Sequence, residues 1–124
     1  MAKLKYEDYK RVKEDYTFHG TEAYHKFSLF PVLATDGAIW LAENFECFWL
    51  LEDMAAEMMQ HNEETFWVMK ITVKDSEADI RYEDGNYKLI REKHINYTDM
   101  PEGEYELWGA NHPGNRVILM NTEY

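Results

Sequence analysis

Residues 46–74 read ECFWLLEDMAAEMMQHNEETFWVMKITVK, and within this stretch the period of the sequence changes. Over the first part, Cys47, Leu51, Met54, Ala55 and Met58 recur at helical spacing, with Phe48 and Met59 beside them. Glu46, Asp53, Glu57 and Gln60 fall on the opposite side of the wheel. This predicts an amphipathic helix over 46–60, with an acidic stripe on a solvated face, ended by His61 and Asn62. From Phe66 to Lys74 the pattern alternates instead. Trp67, Met69, Ile71 and Val73 share one side, and Lys70, Thr72 and Lys74 the other. That is the signature of a half-buried strand.

Everything before the change reads as helix and everything after it as strand. Tyr6, Tyr9 and Val12 recur at spacings of three and predict a short, frayed helix over 3–15. Thr21 offers an N-cap for a second helix carrying Tyr24, Phe27 and Ser28, which Pro31 ends. Thr35-Asp36-Gly37 is a turn able to cap a short helix over Ala38–Ala42, with Asn44 to close it. Downstream, 78–83 alternates, Asp84-Gly85-Asn86 is a hairpin turn, and 87–97, 104–110 and 116–121 follow as strands. Helices first and strands afterwards argue an α+β fold: N-terminal helices on one face of a C-terminal antiparallel sheet of about five strands. No repeat or linker interrupts the chain, so 1–124 is expected to be one domain, with 1–17 a loosely docked N-terminal helix.

Composition narrows the function by exclusion. The 124 residues are 45% hydrophobic and 15% aromatic, enough for a packed core, and carry a formal net charge of -11. That balance opposes direct contact with nucleic acid or an anionic membrane. The first residues lack the apolar run of a signal peptide, no stretch approaches the ~20 apolar residues of a membrane span, and Cys47 has no intrachain partner for a disulfide. A cytoplasmic location is the expectation.

The chemistry-bearing residues form no familiar constellation. Five histidines show neither an HExxH nor a CxxC setting; Glu57 and His61, four apart on one helix, make a single pair. Cys47 falls on the apolar face, where a small buried hydrophobe is expected. Asp53 and Glu57, on a solvated face, would be poor general acids. There is no glycine-rich phosphate cradle. The expectation is therefore no enzyme, no catalytic residue, no metal and no cofactor.

The distribution of charge is more informative. From Phe27 to Met69 there is no Lys or Arg, against eight acids: Asp36, Glu43, Glu46, Glu52, Asp53, Glu57, Glu63 and Glu64. Trp49 lies toward the acidic side of the wheel, either as an interface anchor or packed under the N-terminal segment. Glu43, Glu46, Trp49, Asp53, Glu57, Glu63 and Glu64 are the candidate partner-binding residues. The expected partner is a basic protein surface, with that of a nucleic-acid-binding protein the leading case. The alternative is a self-associating structural domain, a homodimer; behind it stands a small enzyme without a recognisable motif.

Thr35-Asp36-Gly37, followed by Leu41-Ala42 and by Trp49-Leu50-Leu51-Glu52-Asp53, resembles a small uncharacterised bacterial family, a domain of unknown function. In it a TDG turn precedes an LA helix and a WLL helix. Similar segments are Phe18–Glu22, Val68–Val73 and Tyr97–Pro101. The ending Val117–Tyr124 is similar to the family's LLPSEY, from which Met120-Asn121-Thr122 departs. The resemblance covers most of the chain after residue 17. It implies a small protein of bacteria and their mobile elements, and brings no activity with it. With the acidic surface, it makes a phage or mobile-element inhibitor of a nucleic-acid-binding defence enzyme, anti-CRISPR-like or a DNA mimic, the expected role.

Overall fold

Alternation is the strongest local signal in the chain, and the structure follows it most closely where it is strongest. The structure, a computed structural model, describes residues 4–15, 17, 23–27, 29–61, 64–112 and 115–123, with the side chains of 112 and 115 excepted. Strand β3 spans Phe66–Lys74, and Trp67, Met69, Ile71 and Val73 are all buried. It turns into β4 (Glu77–Glu83) through Asp75 and Ser76, both at positive φ (54° and 62°). That is the backbone a tight two-residue hairpin requires. Asp84 builds the next hairpin: its Oδ1 accepts from the backbone N–H groups of Asn86 (2.8 Å) and Lys88 (2.9 Å). β5 (Leu89–Ile95), β6 (Gly103–His112) and β7 (Asn115–Leu119) complete the expected strands.

The fold is α+β, with the helices packed on the sheet, but the sheet has seven strands and not five. Of the extra two, β1 (Tyr24–Lys26) lies where a second helix is expected, and β2 (Val32–Thr35) follows directly on Pro31. The proposed cap, Thr21, lies outside the described residues. The pair is antiparallel, and β2 then adds in parallel to β7, with Leu33 opposite Val117. The order is β1-β2-β7-β6-β3-β4-β5, antiparallel everywhere except at β2–β7.

Between β2 and β3 the chain forms α2 (Asp36–Asn44) and α3 (Phe48–Gln60). Thr35 caps α2, its side chain accepting from the Ala38 N–H at 3.3 Å. Leu50, Leu51, Met54 and Met58 of α3 are fully buried, each contributing roughly 2 kcal/mol of apolar burial. The first helix, α1 (Tyr6–Glu14), buries only Tyr9.

Candidate functional site

The junction of α2 and α3 is built by a particular turn. Asn44 closes α2 by donating from Nδ2 to the Trp40 carbonyl at 2.9 Å. Phe45 is fully buried, Glu46 takes a left-handed φ of 51°, and the Cys47 N–H reaches back to the Ala42 carbonyl at 3.0 Å. A left-handed residue followed by this six-to-one hydrogen bond is a Schellman closure. Glycine is the usual occupant of the left-handed position; here it is a glutamate, aimed outward and exposed.

The closure brings sequence-predicted residues together. Glu43 from the last turn of α2, Glu46 from the turn, and Phe48 and Trp49 from the start of α3 line one shallow concavity of about 500 Å³, floored by Ala42. Glu43 and Glu46 are exposed, Trp49 is half-buried, and Phe48 is 41% exposed despite its size. Trp49 thus packs against the core and also presents surface to the concavity. Two carboxylates beside two aromatic rings make a fitting receptor for a lysine or arginine side chain, through charge-assisted hydrogen bonds and cation–π contact. Phe48 was missed in sequence because it sits beside the apolar stripe of the helical wheel.

The other acids of that helix do something different, and this corrects the reading of a solvated acidic face. Glu57 is 2% exposed. Its Oε1 meets Lys93 Nζ at 2.8 Å and Arg91 Nε at 3.4 Å, both from β5, and its Oε2 faces His61 Nε2 at 3.5 Å. Asp53 accepts from the Tyr82 hydroxyl at 2.5 Å and pairs with Lys93 at 2.8 Å. Burial acts to lower the Lys93 pKa, but the hydrogen bonds it donates to Asp53 and Glu57 outweigh it and the net shift is upward. Burial, with Asp53 beside it, pushes the Tyr82 hydroxyl up. The acids on this side of α3 are an internal seam that clamps the helix to β4 and β5. Lys93 and Arg91 alternate with Glu92 and His94 along β5, which is the signal that these two cations share one face, the one that meets α3.

Glu64 is half-buried before β3, and Glu63 lies outside the described residues. Cys47 is buried, and burial pushes its thiol up to about 12. The Glu57–His61 pair is therefore part of the seam. Among the described residues no group of three or more His, Cys, Asp or Glu is arranged to hold a metal ion. Nor is any described helix long and apolar enough to cross a membrane.

The chain belongs to a family of unknown function, DUF6876, whose model matches residues 11–124. Neither the curated proteins nor the solved structures contain a match to it.

Proposed function

We propose that this member of a family without an assigned activity is a protein-binding module, not an enzyme, and that it grips a basic segment of its partner at the α2–α3 concavity. The observation that carries the reading is the convergence of Glu43, Glu46, Phe48 and Trp49 on one recess. Exposed aromatic anchors rimmed by charge are what a small, selective interface needs. The partner class is a nucleic-acid-binding protein, whose lysines and arginines already project for phosphate. Occupying them would inhibit that protein in the manner of a DNA mimic or an anti-CRISPR. The resemblance to proteins of bacteria and their mobile elements favours a defence enzyme as the target, met in the cytoplasm.

The test uses the wild-type chain and the variant Glu43→Lys/Glu46→Lys, immobilised side by side in lysate of a bacterial host. The two are first checked for equal helix content by circular dichroism. We expect a basic protein retained by the wild type, lost from the variant, and released as salt rises. Retention that is equal on both, at every salt concentration, overturns the reading.

A second reading, self-association, draws on exposed apolar residues at one sheet edge. Tyr24 of β1 is 48% exposed, and Leu29 and Phe30 in the following loop are 101% and 37% exposed. Light scattering separates the two: a dimer that Leu29→Lys dissociates favours association through β1, and a monomer removes it.

A further inference from the structure

Among the described residues, strand β6 has an edge that no strand covers. β3 pairs with it from Gly103 to Ala110, but on the other side β7 reaches only as far as Leu119, opposite Trp108. Helix α1 occupies the remaining length. The Tyr9 hydroxyl accepts from the Glu106 N–H at 3.0 Å and lies 3.5 Å from the Glu106 carbonyl, to which it donates. One side chain thus takes the place of a neighbouring strand. The pleat sends the backbone groups of Glu104 to the same side as those of Glu106.

We propose that α1 is a displaceable strap, and that the β6 edge beneath it, residues 103–107, is a docking site for an extended protein segment in which large apolar residues alternate with lysine or arginine.

The strap is weakly built. A helix of nine residues does not persist alone in water, and α1 holds on by one fully buried residue, Tyr9, with Tyr6 and Val12 partly buried against the core. Beside the strap remains a cavity of about 380 Å³, lined by Tyr6 and Lys13 of α1, Glu104, Tyr105 and Glu106 of β6, and Lys70 of β3, which also pairs with Glu83. The family match begins at Arg11, past both tyrosines that dock the helix.

The occupant's chemistry follows from what α1 places there. Tyr9 enters an aromatic slot, with its ring centroid 4.8 Å from Tyr105 and 6.4 Å from Phe45. Tyr6 lies against Gly103, where any Cβ would collide with its ring. Lys13, its Nζ 5.4 Å from the centre of the Tyr9 ring, borders the cavity shared with Glu104 and Glu106. A strand added here would set alternate side chains toward the aromatic slot and toward these two glutamates. An apolar–basic alternation suits both sides: tyrosines of α1 fill the slot now, and Lys13 borders the cavity that the two glutamates line. The site is separate from the α2–α3 concavity, and its test is independent of that reading.

Amide exchange and a peptide titration on the full chain test the proposal. We expect the Glu106 amide to exchange about tenfold faster than that of Leu107, which faces Met69 of β3, because strap opening frees only the former. Tyr9→Phe, which keeps the ring and loses the hydroxyl, should speed Glu106 further and leave Leu107 unchanged. A short capped peptide alternating tyrosine and lysine should shift the Glu104 and Glu106 amide resonances, and bind about tenfold more tightly to Tyr9→Ala. Should Tyr9→Ala not fold, Tyr9→Phe serves the same comparison with a smaller gain. Equal exchange of Glu106 and Leu107 in both wild type and Tyr9→Phe overturns the strap. Absence of binding at millimolar peptide, or equal binding when glutamate replaces lysine in the peptide, overturns the docking site.

Discussion

The Glu123 carboxylate accepts a 2.6 Å hydrogen bond from the Thr35 hydroxyl, across 88 positions of sequence. The same carboxylate accepts from the Gly37 N–H at 3.1 Å and the Met120 N–H at 3.0 Å, and it is 5% exposed. Gly37 lies in the first turn of α2, so the acid neutralises the positive end of that helix from the opposite end of the chain. Only glycine fits at 37: a Cβ there would run into the glutamate carboxyl group. The TDG turn and the glutamate of the chain's ending, which belong to two separate segments of the family resemblance, are thus in direct contact.

Removing that carboxylate leaves three buried donors without an acceptor. Glu123→Ala is expected to cost about 3 kcal/mol of stability, at the upper end for buried hydrogen bonds to a charge. Gly37→Ala should cost at least as much as Thr35→Ala: the latter loses one donor to the acid and the cap on the Ala38 N–H, whereas the former displaces the acid from all three of its donors. Urea denaturation of the three variants checks the order. An effect below about 0.5 kcal/mol for Glu123→Ala would show that the latch is incidental.

The seam between α3 and β5 makes a second expectation. Lys93 is the cation shared by Asp53 and the buried Glu57. Lys93→Met should cost about 2 kcal/mol, since it takes the nearer cation from the buried Glu57 and leaves that acid partly stranded, with Arg91 at 3.4 Å. Lys93→Met combined with Glu57→Leu should cost less than the sum of the single changes, because the second change removes the stranded charge. Thermal and urea unfolding of the four proteins in the cycle give the coupling.

What could be read from the chain depended on how local each cause was. β3 was legible to the residue, because Trp67, Met69, Ile71 and Val73 carry their own alternation. The caps at Thr35 and Asn44 are local hydrogen bonds, and both are present. β1 and β2 were not legible. They are only three and four residues long, and β2 is held by β7, far away in sequence. Tyr24 and Phe27 happen to fall at helical spacing. The site divided the same way. Glu43, Glu46 and Trp49, close in sequence, come together because the turn that unites them is short. Asp53 and Glu57 seemed solvated on a wheel, since a wheel does not show which strand comes to lie against it.

Cys47 tests burial at the start of α3. The residue is 1% exposed, its thiol donates to the Leu41 carbonyl at 3.6 Å, and burial pushes that thiol up to about 12. At pH 8 the folded chain should therefore react with an aromatic disulfide reagent at least about 100-fold more slowly than the chain in denaturant. Comparable rates would mean that the α2–α3 junction opens readily.

His94 gives the fold a titrating contact on the outer face of the sheet. Its Nδ1 lies 2.7 Å from Asp79 and its Nε2 2.6 Å from Glu77. These hydrogen bonds, Asp79's first, raise the histidine above its ordinary 6.5. A group raised on folding contributes stability that is fully present below about pH 6.5 and is lost as pH climbs through the folded value. The advantage of the wild type over His94→Gln should accordingly shrink on going from pH 6 to pH 9. Imidazole resonances followed by NMR should give a pKa above 6.5 that falls in Asp79→Asn. High salt should weaken the effect, since the cluster is open to solvent.

Glu46 separates stability from binding. Its φ of 51° places a side chain where a Schellman closure favours glycine, at a cost of about 1 kcal/mol. Glu46→Gly should relieve that strain, and the larger backbone entropy of glycine in the unfolded chain offsets part of the gain. The net expectation is a stabilisation of about 0.5 kcal/mol, read as a higher urea midpoint at unchanged slope. The same substitution removes one of the two carboxylates lining the concavity, so affinity for a basic partner should fall while the fold gains. If the partner binds Glu46→Gly as tightly as the wild type, the strained glutamate has no part in recognition. If the variant is instead less stable, the glutamate is held in place by contacts that repay the strain within the fold.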